Sequence, residues 1–381
     1  MSGKRKAGED ASHDMSKRGR YDNSTALVVS GTADDDDRGD VVERTSSLSA
    51  PTMVLEGHGA AVNSVKFSSD GNLLASASSD KSVMLWRTFA SGSSNYLVMN
   101  GHRNAVLELH WSAKDDETIY TASADKTVGI WDATDGTLIR RMTGHQGIVN
   151  SVCPVRRGPE LLVSGSDDGL ARVWDVRVRR GAQQIQHEYP VTAVCFGEQS
   201  SRVFTAGIDN VIRAYDLRNV GQPVSLAGAN EAALQKAKDA LAAAYAPANS
   251  LDLTGHVDTP TSLTLSPRGT ELLSNAMDSS VRLWDIQPFV AAGSGREKKR
   301  FVGAKHGFEK TLIKASFSPD GALIGAGSAD RNVFVWDAAT GEVLYCLPGH
   351  KGTVNEVAFH PTEPVIVSCG VDKQVFLGEL N

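Results

Sequence analysis

Apolar and polar positions alternate in short runs along most of this chain, and turn residues separate the runs. In the first unit, Val62 to Phe67 alternates, Ser69-Asp70-Gly71 forms a turn, and Leu73 to Ser78 alternates again. A period of two is typical of a half-buried β-strand, and clusters of Ser, Pro, Asp and Gly are typical of turns. The same turn chemistry recurs at 266–269 and 318–321. The pattern therefore predicts many short antiparallel strands.

Histidine, aspartate and tryptophan recur in register with these strands. Seven histidines each precede an aspartate by 22 to 24 residues: His58, His102, His145, His187, His256, His306 and His350. A tryptophan stands six residues after five of these aspartates, and Tyr215 takes that place in a sixth repeat. Apart from two insertions, the aspartates recur every 41 to 45 residues. That period is the length of one four-stranded propeller blade.

Composition narrows the function classes. A chain of 381 residues with 41% hydrophobic residues can build one large all-β domain, and its net charge of −6 does not indicate a polyanionic partner. The four cysteines form no C-x-x-C pair, which favours a reducing compartment over a zinc site or a disulfide framework. No apolar run reaches the roughly 18 residues of a membrane span, and no signal peptide is evident. We expect no cofactor, no membrane contact and no small-molecule substrate.

The order Gly-His, about 22 residues, Asp and then Trp-Asp resembles the WD-repeat family over residues 51 to 381. The resemblance implies an all-β, seven-bladed WD40 β-propeller. The last repeat stops after its third strand, while Thr52 to Leu55 precedes the first repeat and has no blade of its own. We therefore expect this N-terminal strand to complete the last blade and close the ring.

The resemblance also implies a buried hydrogen-bond chain in each blade, from Trp to Ser or Thr to His to Asp. We place the hydroxyl two residues before the aspartate, which gives four blades all four members. The sets are His58, Ser78, Asp80 and Trp86; His102, Ser123, Asp125 and Trp131; His145, Ser166, Asp168 and Trp174; and His306, Ser328, Asp330 and Trp336. A catalytic triad is a single site and not a period, so we interpret these residues as structural and the chain as no enzyme.

Three segments lie outside the repeat. Residues 1–48 are polar, and we predict a disordered tail before a propeller at 49–381. An Ala-rich insertion at about 222–250 predicts one helix, and a flexible basic loop is predicted at about 290–303. Within the tail, two basic clusters resemble a bipartite nuclear import signal; they comprise Lys4, Arg5, Lys6, Lys17, Arg18 and Arg20. A merely solubilising tail and direct RNA binding by the tail are the alternatives.

In this family, partners bind chiefly on the wide face around the central channel. The resemblance places there the residues three and five after each histidine and the residue before each aspartate. In blade six, whose first loop is two residues longer, the positions are aligned from Phe317 instead. Only Asp167 among them is charged, so the face resembles a protein interface and neither an RNA-binding surface nor a methyl-lysine cage. The candidates are Asn63, Leu107, Ile148, Asn150, Asp167, Ile208, Met277, Ile313 and Asn355. Simple packing against neighbouring loops is the alternative for each.

Several segments outside the repeat signature look like one family, that of the 40-kDa WD-repeat subunit of the U5 small nuclear ribonucleoprotein. They are 105–110, 156–159, 273–278, 286–289, 355–361 and the Leu-Gly-Glu ending at 377–379. The resemblance implies a nuclear scaffold in pre-mRNA splicing. It would dock on the large U5 protein, pre-mRNA-processing-splicing factor eight, and any RNA contact would be indirect. A ubiquitin-ligase substrate receptor and a chromatin-associated adaptor stay open as alternatives.

Overall fold

The computed structural model describes residues 44–90, 95–178, 181–218, 251–288 and 295–380. Within these ranges the chain forms seven antiparallel sheets of four strands each. The described residues contain no helix, and hence none long and apolar enough to cross a membrane. The predicted all-β propeller of seven blades is confirmed. The helix predicted at about 222–250 lies outside the described residues, as do the basic clusters at 4–20.

The strands follow the chain order blade by blade. Blade one contains β2 (Val62–Phe67), β3 (Leu73–Ser78), β4 (Ser82–Arg87) and β5 (Leu97–Asn100), and blade two contains β6 (Val106–Trp111), β7 (Thr118–Ser123), β8 (Thr127–Asp132) and β9 (Leu138–Thr143). Blade three contains β10 (Val149–Pro154), β11 (Leu161–Ser166), β12 (Leu170–Asp175) and β13 (Gly181–Gln186), and blade four contains β14 (Val191–Phe196), β15 (Arg202–Gly207), β16 (Ile212–Asp216) and β17 (Leu251–Leu253). Blade five contains β18 (Pro260–Leu265), β19 (Glu271–Ala276), β20 (Ser280–Asp285) and β21 (Glu297–Phe301), and blade six contains β22 (Ala315–Phe317), β23 (Leu323–Gly327), β24 (Val333–Asp337) and β25 (Val343–Leu347). Blade seven contains β26 (Val354–Phe359), β27 (Val365–Gly370), β28 (Val375–Glu379) and β1 (Thr52–Leu55).

The first strand of each blade lines the centre of the ring, because it contacts the first strands of both neighbouring blades. These inner strands are buried on both faces, as β14 shows over its whole length. The outermost strands alternate between exposed and partly buried positions, as in β25. The apolar core is divided into seven clusters, each lying between two neighbouring blades. Burial of one sheet against the next therefore holds the blades together.

The two ends of the chain share the last sheet. β1 pairs with β28 in antiparallel register from Thr52↔Gly378 to Leu55↔Val375, as expected. Residues 44–48, which we assigned to the tail, also contact this blade. The backbone N–H groups of Thr45 and Ser46 donate to Glu379 Oε1 at 2.5 and 2.7 Å, and Leu48 is buried in the core between blades seven and one.

Part of the basic segment predicted as a flexible loop at about 290–303 is in fact a strand. Residues 297–301 form β21, which pairs with β20, and Lys298 Nζ lies 2.8 Å from Glu271 Oε1. The prediction was wrong because an outermost strand faces solvent on both sides. Charged side chains are tolerated there, so the apolar alternation that marks the inner strands is missing. Residues 289–294 lie outside the described part.

Candidate functional site

One end of every blade carries the repeated histidine and aspartate. In blade one, the start of β2 pairs with the end of β3 through Val62↔Ser78, so the loop before β2 and the turn after β3 lie at the same end of the sheet. His58 lies in that loop and Asp80 in that turn. We call this end of the ring, formed by the loops before the first strands and the turns between second and third strands, the histidine face. The opposite end is the reverse face.

Four blades contain a complete hydrogen-bond chain that links their strands. In blade one, Trp86 Nε1 donates to Ser76 Oγ at 2.8 Å, and Ser76 Oγ lies 2.7 Å from His58 Nε2. His58 Nδ1 lies 2.9 Å from Asp80 Oδ2. With the proton on Nδ1, each donor in this chain meets an acceptor, as buried polar groups require. The equivalent sets are Trp131, Thr121, His102 and Asp125; Trp174, Ser164, His145 and Asp168; and Trp284, Ser274, His256 and Asp278.

The hydroxyl of this chain lies four residues before the aspartate, so the predicted position two residues before it was wrong. Ser78 Oγ instead accepts from the N–H of Asp80 at 3.1 Å and donates to the Ala61 carbonyl at 2.9 Å. It therefore fixes the turn on the histidine face and does not touch the tryptophan. The other misplaced hydroxyls also accept from the N–H two residues later; they are Ser123, Ser166 and Ser328.

The charge state of the chain is fixed by its geometry. Burial raises the pKa of Asp80, but hydrogen bonds from Ser82, His58 and the Gly59 N–H outweigh it and bring the pKa to about 2. The same balance brings the pKa of Asp168 to about 2. Burial is also the main reason that the pKa of His58 is lowered. At neutral pH the pair is therefore a carboxylate with an uncharged imidazole.

Blade six does not form this chain, although it was one of the four predicted sets. Its histidine, His306, points to the neighbouring blade, with Nε2 3.3 Å from Asn275 Oδ1. Trp336 Nε1 donates to the Val302 carbonyl at 3.1 Å, and Ala326 occupies the hydroxyl position. The loop before its first strand is longer than in the other blades, so equal spacing along the sequence does not put His306 in the equivalent place. His306 and Asp330 consequently have no hydrogen bond to each other.

Blades four and seven are partial. In blade four, Arg213 binds Asp209 at 2.5 Å, and His187 Nε2 and Thr205 Oγ1 are buried without a hydrogen-bond partner among the described residues. In blade seven, His350 lies 2.9 Å from both Ser368 Oγ and Asp372 Oδ2, but Gly378 occupies the tryptophan position. The Phe376 ring contacts the His350 ring there, at 4.5 Å between centroids.

Several of the predicted partner-binding residues bridge the blades instead. Three asparagines five residues after the histidine donate from Nδ2 to a backbone carbonyl of the next blade, at 2.7 to 3.0 Å: Asn63 to Val106, Asn150 to Val191 and Asn355 to Val62. Thr192 and Thr261 form the same bridge from blades four and five. These side chains hold the ring together, which is a sufficient reason for their presence without a partner.

The remaining candidates differ in how much of them a partner can reach. Ile313 is completely buried, so its prediction as a contact residue was wrong; it packs beneath the histidine face and its carbonyl accepts from Thr261 Oγ1 at 2.7 Å. Ile148 and Ile208 are 38% and 48% exposed, and Asp167 is exposed as well. Leu107 and Met277 are partly buried.

Sequence reasoning missed a cluster of charges inside the ring. Lys66 Nζ lies 2.6 Å from Glu356 Oε1, and Lys314 Nζ lies 3.6 Å from Glu108 Oε1 and 3.9 Å from Glu356 Oε2. Glu356 and Glu108 also accept from N–H groups of the next blade, at Val65 and Val152. The cluster lines a cavity of about 190 Å³. Its charges are paired, so it joins blades one, two, six and seven.

The described residues contain no group of three or more His, Cys, Asp or Glu side chains arranged to hold a metal ion. Ser76, His58 and Asp80 are ordered like a Ser-His-Asp triad, but Ser76 is completely buried and Trp86 Nε1 donates to its Oγ. A substrate carbonyl therefore cannot approach that hydroxyl.

Comparison with known proteins agrees with this architecture. The WD domain, G-beta repeat, matches the chain at residues 49–87, 91–132, 136–175, 182–216, 248–285, 304–337 and 341–377. The chain is 45% identical to the U5 small nuclear ribonucleoprotein 40 kDa protein of Dictyostelium discoideum, over 98% of this chain and 96% of that protein. It is 39% identical to pre-mRNA-splicing factor cwf17 of Schizosaccharomyces pombe, over 99% of both chains. With the Homo sapiens U5 40 kDa protein the identity is 44%, over 89% of this chain and 86% of that protein.

Proposed function

We propose, since this chain belongs to the WD40-repeat family and within it to the group of U5 small nuclear ribonucleoprotein 40 kDa proteins, that it is a scaffold subunit of the spliceosome acting in pre-mRNA splicing. The observation that carries this proposal is the length of the similarity. It covers nearly the whole chain at 39 to 45% identity. Two proteins that share only the blade signature would match mainly at the repeated positions. Similarity between those positions is therefore needed to infer function, because the propeller fold hosts many functions.

A binding role without catalysis fits the chemistry of the site. The repeated imidazole–carboxylate pairs are enclosed between strands, and their hydroxyl is buried beneath a tryptophan in four blades. Part of the histidine face presents exposed aliphatic and acidic side chains, as at Ile148, Ile208 and Asp167. Exposed apolar groups beside charged ones are what a protein interface presents.

The partner proposed for this face is the large U5 scaffold protein, and the site of action proposed is the nucleus. The name of the Dictyostelium relative places that protein in a U5 ribonucleoprotein, and this comes to the present chain as a proposal. The basic residues between Lys4 and Arg20 supply the type of sequence that nuclear import receptors recognise.

The test is a pull-down of the epitope-tagged full chain from nuclear extract, measured by U5 RNA and the large U5 protein. Ile148→Ser with Ile208→Ser should reduce their recovery about tenfold or more, because two exposed anchors are lost. Ile139→Ser is the matched control, since Ile139 is 54% exposed on an outermost strand. Replacing the six basic residues of the tail by alanine should reduce nuclear entry. Recovery of a ubiquitin ligase or of nucleosomes without U5 components would contradict the proposal.

A further inference from the structure

Two loop positions place one side chain each on the histidine face of every blade. The first follows the loop histidine. The second follows the turn aspartate and has a positive φ in all seven blades, between 60° and 76°: Lys81, Lys126, Gly169, Asn210, Ser279, Arg331 and Lys373. Because the backbone geometry repeats, these positions sample the face at regular intervals around the ring. The positions used in the sequence analysis lie beside them, which is why their charges were overlooked.

Six cations occupy these positions in blades six, seven, one and two, and blades three to five have none. They are Lys81, Arg103, Lys126, Arg331, Lys351 and Lys373. All six side chains are exposed, and none forms an ion pair or a side-chain hydrogen bond within the described residues. Unpaired like charges on one arc repel each other and contribute nothing to folding. We call these six residues the basic arc.

Blades three to five present the opposite character. Their turn positions are Gly169, Asn210 and Ser279, and no cation replaces the missing ones. The exposed side chains there are aliphatic, aromatic or acidic: Ile148, Asp167, Glu188, Tyr189, Ile208 and Val257. Asp258, which is partly exposed, follows Val257 in the same loop. We call these seven residues the acidic arc.

The acidic arc is continuous across the blades. Asn150 Nδ2 donates to Asp167 Oδ1 at 2.6 Å and to the Val191 carbonyl at 3.0 Å, which joins blades three and four. Asn210 Nδ2 donates to the Val257 carbonyl at 2.9 Å, which joins blades four and five. The apolar and acidic groups therefore form one surface rather than scattered residues.

The aspartates of the blade network reduce this difference without removing it, because the six cations of the basic arc outnumber the four network aspartates of the same blades, Asp80, Asp125, Asp330 and Asp372. In blades four and five an arginine of the third strand neutralises the aspartate: Arg213 lies 2.5 Å from Asp209, and Arg282 lies 3.7 Å from Asp278. Asp167 and Glu188 have no such cation and remain exposed. The histidine face is consequently divided into a positive half and a negative, apolar half.

We propose that this divided face binds one protein segment of opposite polarity, with acidic side chains over the basic arc and basic and apolar side chains over the acidic arc. This rests on the proposed function, since it specifies how the docking partner is recognised. An RNA strand carries the same negative charge along its length and would be repelled by half of the face. A segment with two unlike ends matches both halves, and such complementarity fixes the direction in which it lies.

The experiment uses a fluorescently labelled synthetic peptide with a glutamate-rich half, a Gly-Ser linker and a half of alternating lysine and leucine. Binding to the purified full chain is measured by fluorescence anisotropy. K81E/K126E/K373E and E188K/D258K should each weaken binding about tenfold, because each converts attraction into repulsion at one end. The variant carrying all five changes should regain affinity, since the peptide can then bind in the reverse direction.

The matched control reverses two exposed cations of the reverse face that form no ion pair within the described residues, R87E/R268E, and should change affinity by less than about twofold. Thermal melting identifies any variant that fails to fold, and the neutral versions K81Q/K126Q/K373Q and E188Q/D258N then replace the reversed ones. A peptide that binds no better than its scrambled version overturns the proposal. So does tight binding of single-stranded oligouridylate in its place. No spliceosomal component is present, so either result leaves the nuclear pull-down to be judged separately.

Discussion

Blades two and six fold into the same four-stranded sheet with different polar interiors. In blade two, Trp131, Thr121, His102 and Asp125 form one unbroken chain of hydrogen bonds. In blade six the corresponding groups are separated, yet Trp336 is completely buried and β22 to β25 keep their register. Packing between neighbouring sheets therefore suffices to form a blade. The hydrogen-bond chain adds rigidity to the loop and the turn that form the histidine face.

The largest expected difference between the two blades concerns the aspartate. Asp125→Ala removes the acceptor of His102 Nδ1 at 2.8 Å and of the Arg103 and Thr127 N–H groups at 3.0 and 3.1 Å. His102 would be left buried and unpaired, so the free energy of unfolding should fall by about 3 kcal/mol.

The matched substitution in blade six is Asp330→Ala. Asp330 is exposed, and its carboxylate accepts only the Asn332 N–H, at 3.3 Å, among the described residues. It should cost about 0.5 kcal/mol. Chemical denaturation of both variants provides the comparison, and equal losses would show that the network contributes no more than an ordinary turn.

A smaller effect is expected from the hydroxyl of the chain. Ser76→Ala leaves Trp86 Nε1 and His58 Nε2 without their partner, and should lower the free energy of unfolding by about 2 kcal/mol. Ser78→Ala is the control, because that hydroxyl bonds only to backbone groups. Stability alone does not separate the two, so the measurement is the NMR signal of the Trp86 indole N–H. It should shift in the first variant and stay in place in the second; the reverse outcome would restore the hydroxyl position inferred from the sequence.

That pair of serines shows where the repeat pattern stops being informative. Ser76 and Ser78 lie two residues apart on β3, so both point to the same side of the sheet and satisfy the same alternation. The register of the strands distinguishes them. Trp86 pairs with Leu74, which is two residues from Ser76 and four residues from Ser78 along β3, so only Ser76 is near the indole. The number of blades and the closing strand followed from sequence spacing. The choice between equivalent positions required the pairing of strands.

The histidine face was predictable in part for a related reason. The positions that bridge blades, such as Asn63 and Asn355, were recognised as special from their place in the repeat, but their bonds to the next blade depend on three-dimensional neighbours. Ile313 was expected on the surface because it aligns with these bridging positions, but the side chains at such positions, for example Asn355, are themselves buried. The charges of the basic arc were visible in the sequence and lay at positions adjacent to those considered.

A smaller effect than that of Ser76→Ala separates the blades by pH. In blades four and six the histidines lack an aspartate partner, and burial lowers the pKa values of His187 and His306 to about 4. The unfolded chain binds these protons near pH 6.5 and the folded chain only near pH 4, so their stability contribution is complete above pH 6.5 and is lost as the pH falls towards 4. Between pH 7 and pH 5.5 each should cost about 1 kcal/mol.

His187→Gln should therefore reduce the loss of stability in this pH range, and His187→Gln with His306→Gln should reduce it further. Part of the loss should remain, because burial also lowers the pKa values of His58 and His360. The measurement is urea denaturation at closely spaced pH values, with the slope of stability against pH compared among the variants. The comparison uses the slope and not the absolute free energy of unfolding, so a variant that is less stable at every pH still gives a clear result. Unchanged slopes would mean that both imidazoles reach solvent and titrate as they do in the unfolded chain. In that case an enclosed histidine without an aspartate partner would not distinguish these blades from the four with a complete chain.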